Sequence, residues 1–233
     1  MPVHPPVMIM GMHRSGTSCL TGCLEQAGLY LGNVNTEAGF NKKGNRENRD
    51  IMTLHDQVLK RVGASWDNPP DHLPDWTSSE ISALKSLLED YEGKEKWGVK
   101  DPRSLFTLKG WESVTAPKFV GTFRHPKEVA DSLVYRAKSW AQPMEIEKAY
   151  GLWADYNSRL LEIHSKQPFD IIRYDIDLVS YREKLTQITG RLNLEMAASN
   201  DFRDERLHNQ QVEEESVPTN IKHIWEALND IAI

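Results

Sequence analysis

The chain of 233 residues contains 39% hydrophobic and 27% charged residues, which is the composition of one globular domain spanning 1–233. Its formal net charge of −6 argues against general nucleic-acid binding, which requires a basic surface. The sequence contains neither an apolar run near the ~18 residues of a membrane span nor the features of a signal peptide. Cys19 and Cys23 lie one helical turn apart, which suits neither a zinc site nor a disulfide framework, and a cytoplasmic location is expected.

The first predicted element is a buried strand formed by the apolar residues 7–10, and Gly11 ends it. A polar loop follows, and an amphipathic helix is predicted from Thr17 to a stop signal at Gly28. A strand, a glycine-bounded loop and a helix N-terminus aim backbone N–H groups and the positive end of the helix dipole at a phosphate. We therefore interpret the loop as a phosphate site, the alternative being an ordinary strand-to-helix turn.

The loop departs from the nucleoside-triphosphate pattern G-x-x-x-x-G-K-[ST] in one position. Gly11 and Gly16 have the spacing of its glycines and Ser18 has its hydroxyl, but Thr17 stands where the pattern has lysine. The positive charge is instead at Arg14. Because an NTPase needs the lysine and a carboxylate-held magnesium ion, this loop is predicted to bind fewer phosphates.

The rest of the chain alternates predicted helices and strands. Residues 32–46 contain Gly and Asn but no periodic pattern, which predicts a long loop beside the phosphate site. A helix is predicted from about Glu47 to Gly63, and a capping box of Thr77 and Glu80 opens another. Further patterns predict strands at 97–100, 118–123 and 169–173, helices at 126–138 and 145–166, a helix ending near Thr189, an acidic turn at 213–215 and a last helix after Pro218.

This alternation indicates an α/β fold in which a mostly parallel central sheet is flanked by helices. Ligands of such sheets bind at the carboxyl ends of the strands. Arg14, Lys100, Arg124 and Tyr174 each follow a predicted strand. We therefore expect these four side chains to gather at one edge of the sheet.

The stretch Gly-Met-His-Arg-Ser-Gly-Thr-Ser, residues 11–18, resembles the 5′-phosphosulfate loop of sulfotransferases that use 3′-phosphoadenosine 5′-phosphosulfate (PAPS). The resemblance implies the P-loop-like fold of that family. It also implies that Arg14 holds the 5′-phosphate, which is the leaving group of the reaction, so that Arg14 both binds and catalyses. The loop residues that the resemblance assigns to the donor are His13, Arg14, Ser15, Gly16, Thr17 and Ser18.

A second motif resembles the 3′-phosphate site of the same family. Arg124 ends a predicted strand, and Ser132 follows two helical turns later. An arginine there can bind a phosphate with two parallel hydrogen bonds. Tyr174 resembles the tyrosine that lies near the adenine, although a core tyrosine has the same pattern. The C-terminal Arg-Lys-Gly motif of the family is absent, and Arg203 and Arg206 are candidates to replace it.

Two further residues are assigned to catalysis by the resemblance. Val-Lys-Asp-Pro-Arg resembles the central-strand motif whose lysine, here Lys100, reaches the transferred sulfuryl group. The histidine base of small-molecule sulfotransferases is replaced by Pro102. Residues 41–48 resemble the Asn-x-x-Gly-x-x-Glu-Asn pattern of a bacterial branch, which makes Glu47 the favoured base. A helix-terminal glutamate is the alternative reading, and the fallback bases are His13, His55 and Asp101.

The sequence thus predicts transfer of a sulfuryl group from PAPS to the hydroxyl of a carbohydrate or small molecule, with release of adenosine 3′,5′-bisphosphate (PAP) and without a metal. A P-loop kinase-like enzyme and a non-catalytic nucleotide-binding protein are the alternatives. No pattern indicates the oligomeric state. Acceptor contacts are expected from residues 33–77 and 139–150, which contain Trp66, Trp76 and Trp140.

Overall fold

The computed structural model describes residues 1–37, 44–139, 142–196, 202 and 217–233. Four parallel strands form its central sheet in the order β2-β1-β3-β4. The predicted α/β fold with a parallel central sheet is therefore confirmed. The strands are β1 (Val7–Met10), β2 (Gly98–Lys100), β3 (Lys118–Phe123) and β4 (Ile171–Arg173).

Eight α-helices connect and cover the strands in the described part of the chain. Each helix that the sequence pattern predicted is present, with ends that differ from the prediction by at most three residues. The helices are α1 (Thr17–Gln26), α2 (Arg49–Arg61), α3 (Ser78–Leu87), α4 (Ser104–Glu112), α5 (Pro126–Ser139), α6 (Ile146–Lys166), α7 (Leu178–Arg191) and α8 (Lys222–Ile231).

The sheet separates two hydrophobic cores because successive side chains of a strand point to opposite faces. Val7 and Ile9 of β1 pack with the apolar faces of α1 and α7. Met8 and Met10 point to the other face, where they join the larger core formed by α2 to α6 and α8. Burial on both faces explains why β1 reads as an uninterrupted apolar run rather than an alternating one.

The fold corrects one predicted helix start and adds one helix that was not predicted. The helix expected from about Glu47 begins at Arg49 with Asn48 as its N-cap, so Glu47 precedes the helix. Helix α4 was not predicted, because residues around its whole circumference are buried and its sequence has no amphipathic period. The predictions for Asn41, Trp140, Arg203, Arg206 and the acidic run 213–215 lie outside the described residues.

Candidate active site

The loop between β1 and α1 has a backbone that favours anion binding. Arg14 and Gly16 both adopt positive φ angles, of 65° and 86°. A left-handed conformation is unusual for arginine, and such strained residues concentrate at functional sites. Gly16 is also the N-cap residue of α1, so the loop leads directly into the positive end of that helix.

Gly16 lies against the aromatic ring of Tyr174, which follows β4. A Cβ atom at position 16 would come within 2.3 Å of two carbons of that ring. The close approach therefore requires glycine for space as well as for backbone conformation. It brings the phosphate loop into contact with the tyrosine that the sequence assigned to the adenine end of the donor.

We expect Gly16→Ala to lose about 1–3 kcal/mol of unfolding free energy and to displace Tyr174. Gly28→Ala is the matched control, because Gly28 has a φ of 99° but a Cβ atom there would meet nothing within 4 Å. Urea unfolding should find both variants destabilised, whereas titration with PAP should find weaker binding only for Gly16→Ala. Equal PAP affinity in the two variants would contradict this role for the Gly16–Tyr174 contact.

The loop and the Arg124–Ser132 motif meet at the same edge of the sheet. Arg14 Nε donates a hydrogen bond to Ser132 Oγ over 2.7 Å. The Arg124 guanidinium lies 5.4 Å from the centre of the Tyr174 ring. Burial lowers the pKa of Arg14, and the charges of Arg136 and Arg124 lower it further. Three arginines therefore concentrate positive charge beside one loop, which is an arrangement suited to an anionic ligand.

Polar residues at four-residue spacing form a line along α5, which we call the α5 stripe: Arg124, Glu128, Ser132 and Arg136. Arg124 precedes the helix and donates from Nε to the buried carboxylate of Glu128. This ion pair fixes one edge of the guanidinium. Glu128 thereby constrains the orientation of the Arg124 side chain, in the way that second-layer carboxylates orient metal-binding side chains.

Lys100 at the end of β2 pairs with Glu47. Lys100 Nζ lies 2.6 Å from Glu47 Oε1 and also donates to the carbonyl oxygen of Asn45 and to Ser18 Oγ. Both charged side chains are nearly buried, with 3% and 11% of their surface exposed. Within the described residues, no donor bonds the second carboxylate oxygen of Glu47. The predicted lysine and the predicted base are therefore in direct contact, next to the first turn of α1.

The backbone before α2 holds Glu47 in this position. Gly44 has a φ of 76°, and a Cβ there would come within 2.3–2.5 Å of the backbone of Asn35 and Thr36. The side chain of Asn48 caps α2 by accepting from the backbone N–H groups of Asp50 and Ile51. The glycine and the asparagine of the pattern that identified Glu47 thus have structural roles on either side of it.

The Lys100–Glu47 pair opens into a cavity of about 250 Å³. His13 lies on its wall, with its ring centre 5.0 Å from that of Trp66. Burial, followed by the charges of Arg103 and Lys100, lowers the pKa of His13 well below its ordinary value, so the imidazole is neutral at pH 7. The other residues lining the cavity are Arg14, Thr17, Ser18, Asn45, Met52, Asp67, Arg103, Leu133, Arg136, Ala137, Gln142, Pro143, Met144 and Lys148.

Two of the fallback bases lie behind the cavity wall in a buried network. Trp111 Nε1 donates to His55 Nε2, so the proton of His55 is on Nδ1 and is donated to Asp101 Oδ2 over 2.8 Å. Arg103 bonds Asp101 and also Asp56 of α2. Because His55 and Asp101 do not line the cavity, they are not placed to take a proton from an acceptor.

Burial opposes ionisation of Asp101, but the hydrogen bond from His55 and the charge of Arg103 outweigh it and lower the pKa of Asp101. The Asp101 carboxylate therefore stabilises the fold fully above the unfolded-state pKa of about 3.9, and this contribution is lost as the pH falls below it. The network joins the end of β2 to α2 and α4, behind the Lys100–Glu47 pair.

We expect Asp101→Asn to lower the unfolding free energy at pH 7 by about 3–5 kcal/mol, because it leaves the charge of Arg103 without its buried partner. Urea denaturation measures this loss, and the difference from the parent protein should shrink below about pH 4. Glu226→Gln is the control, since it breaks the exposed Lys222–Glu226 pair and should cost at most about 1 kcal/mol. A loss for Asp101→Asn no larger than the control would contradict the importance of the network.

Of the remaining predicted residues, some line the cavity and others do not. Thr17 and Ser18 line the cavity, but Ser15 is fully buried and its hydroxyl has no hydrogen-bond partner among the described residues. Trp66 lines the cavity as expected, whereas the ring of Trp76 covers Gly110 of α4, where a Cβ would lie 2.1 Å away. Trp76 is therefore a packing residue rather than an acceptor contact.

Glu128 and Arg136 were not among the predicted site residues, although their spacing of four and twelve residues from Arg124 places them on one face of a helix. The described residues contain no group of three or more His, Cys, Asp or Glu side chains arranged to hold a metal ion. No helix in the described ranges combines the length and the apolar character that crossing a bilayer requires.

Fold and loop together define an α/β protein whose arginine and lysine side chains gather at the carboxyl edge of its sheet. No family model and no curated protein matches the sequence. Among solved structures, the chain is similar to the sulfotransferase domain of the Synechococcus PCC 7002 olefin synthase, with a TM-score of 0.58, 17% identity and coverage of 98% of this chain and 94% of that chain.

Two further structures give the same result. The sulfotransferase domain from the curacin biosynthetic pathway has a TM-score of 0.58 and 17% identity over 98% of this chain and 99% of that chain. Sulfotransferase STF9 from Mycobacterium avium has a TM-score of 0.59 and 15% identity over 99% of this chain and 76% of that chain. These likenesses confirm the predicted sulfotransferase fold.

Proposed function

We propose that the protein is a PAPS-dependent sulfotransferase that transfers a sulfuryl group to a hydroxyl acceptor. The main support is the 2.7 Å hydrogen bond between Arg14 and Ser132, because it joins the 5′-phosphate loop to the 3′-phosphate motif. One nucleotide can then contact both. Arg14 and the loop would hold the 5′-phosphate, Arg124 and Ser132 the 3′-phosphate, and Tyr174 the adenine end.

The charges and backbone conformation of the site residues fit PAPS, independently of the sequence resemblance. The loop presents a positive helix end and an arginine with left-handed backbone, and it has no lysine for a β- or γ-phosphate. A second anion site lies at Arg124, where Glu128 fixes the guanidinium. Two neighbouring anion sites that follow different strands match a nucleotide with one phosphate at 5′ and one at 3′ better than they match a triphosphate chain.

In the proposed reaction the acceptor oxygen bonds to sulfur, the bond from sulfur to the 5′-phosphate oxygen breaks, and a sulfate ester and PAP are released. Glu47 takes the proton of the acceptor hydroxyl. Lys100 stabilises negative charge on the sulfuryl oxygens, and Arg14 stabilises the charge that develops on the leaving phosphate. The rest of the rate enhancement comes from positioning, as in phosphoryl transfer.

Calorimetric titration with PAP, and separately with ATP plus magnesium, tests the donor class. We expect micromolar binding of PAP and no binding of ATP. Tight magnesium-dependent ATP binding would instead support the kinase alternative. Incubation with sulfur-labelled PAPS and a panel of alcohols, phenols and sugars then tests catalysis, since PAP binding without label transfer to any acceptor would support the non-catalytic alternative.

A further inference from the structure

The α5 stripe extends beyond the residues that the proposed donor site uses. Arg124, Glu128 and Ser132 belong to the proposed 3′-phosphate end, where Ser132 also bonds Arg14. Arg136 follows Ser132 by four residues, which places it on the same face of α5 about 6 Å farther along the axis. The stripe therefore leads from the donor end of the site towards the cavity, and Arg136 is its last member.

Arg136 belongs to the acceptor side of the cavity. It lines the same cavity as Lys100 and Glu47. Burial lowers the pKa of Arg136, and the charge of Glu47 offsets part of this effect. The accepting hydroxyl has to reach Glu47, so the acceptor must enter this cavity. Arg136, a half-buried arginine on the same lining, is therefore placed to contact the acceptor.

Apolar side chains share the cavity lining with Arg136. Leu133 and Ala137 lie close to it in sequence on α5, and Met52, Trp66 and Met144 also line the cavity. A planar oxyanion can bind an arginine guanidinium with two parallel hydrogen bonds, and Arg136 is half-buried on this lining. The nearby positive charge of Arg14 also favours an anion between the two arginines.

We propose that the acceptor is an anionic hydroxyl compound whose carboxylate, phosphate or sulfate group binds Arg136, while its apolar body contacts Trp66 and its hydroxyl faces Glu47. The inference rests on the proposed function, because it names the acceptor class of that same site. It makes Arg136 the residue that determines acceptor specificity. Lys148 also lines the cavity, but its charge is balanced by Asp67, with which it pairs at 3.1 Å.

Matched acid and amide probes test the proposal by calorimetry, with and without saturating PAP. The carboxylate arm compares 4-hydroxybenzoate with 4-hydroxybenzamide, and the phosphate arm uses 4-hydroxyphenyl phosphate. We expect at least one of the two acids to bind ~10-fold or more tightly than the amide, the effect of one charge-assisted bidentate contact. Arg136→Met should abolish this preference and Arg136→Lys should retain part of it. Lys138→Met is the control, because Lys138 lies exposed on the same helix and should preserve the preference.

Several results would overturn the proposal. Equal affinity for acid and amide, absence of acid binding, or an unchanged preference in Arg136→Met would each contradict it. Turnover of all acceptors reduced equally by Arg136→Met, with the acid preference intact, would instead assign the arginine to the transferred sulfuryl group. Failure of PAP to bind would refute the proposed function, whereas Arg136-dependent acid binding in the same protein would still support the anion site.

Discussion

Replacing Lys100 with methionine is expected to lower kcat for sulfuryl transfer by about 10²–10³-fold, the usual cost of removing one preorganised donor from a developing charge. Methionine preserves the length and apolar stem of the side chain but removes the group that lies 2.6 Å from Glu47. Binding of PAP should change by less than about threefold, because PAP lacks the sulfuryl group that Lys100 stabilises. Initial rates and PAP titrations measure the two quantities separately.

Lys118→Met is the matched control for this prediction. Lys118 is an exposed lysine at the amino end of β3, on the opposite edge of the sheet from the site. Its replacement should leave both kcat and PAP affinity unchanged. If Lys100→Met retained kcat within tenfold of the parent enzyme while the control behaved as expected, Lys100 would have no major role in the transfer step.

Glu47→Gln should lower kcat by about 10²–10⁴-fold with an aliphatic alcohol, the range that general-base catalysis contributes. Glutamine retains an oxygen that accepts from Lys100, so the variant should fold and bind PAP normally. The loss should be smaller with a nitrophenol acceptor, because an acidic hydroxyl needs less help to release its proton. Steady-state rates with the two acceptors measure this difference.

His13→Asn separates the two remaining candidate bases. His13 is neutral and lines the cavity, and its buried Nε2 has no hydrogen-bond partner among the described residues. We expect His13→Asn to raise KM more than it lowers kcat. An acceptor-dependent loss of kcat in His13→Asn, together with a nearly active Glu47→Gln, would transfer the role of base to His13.

The location of the site at one edge of the sheet was predictable, because the carboxyl ends of parallel strands lie on the same side of the sheet. Four separate strand-end residues, Arg14, Lys100, Arg124 and Tyr174, could be assigned to one site without knowledge of their distances. The structure adds the contacts, such as the Arg14–Ser132 bond and the close approach of Gly16 to Tyr174. No periodicity encodes these contacts, since they join parts of the chain more than 100 residues apart.

Predictions based on residue type alone were less successful. Trp66 and Trp76 have equivalent sequence surroundings, yet one lines the cavity and the other covers Gly110. Helix α4 was not predicted because it is buried on nearly all sides. Its sequence therefore lacks the polar face that gives an amphipathic helix its period. The four-residue spacing of the α5 stripe is present in the sequence. Only the structure shows that Arg136 lines the same cavity as Glu47 and Arg14.

The central claim is that one nucleotide spans both anion sites, and paired titrations of PAP and adenosine 5′-monophosphate test it most directly. These two ligands differ only in the 3′-phosphate that Arg124 and Ser132 are proposed to bind. The account predicts that the parent protein binds PAP about 10–100-fold more tightly than the monophosphate and that Arg124→Met reduces this preference to a few-fold. Equal affinities in the parent protein, or an unchanged preference in Arg124→Met, would contradict it.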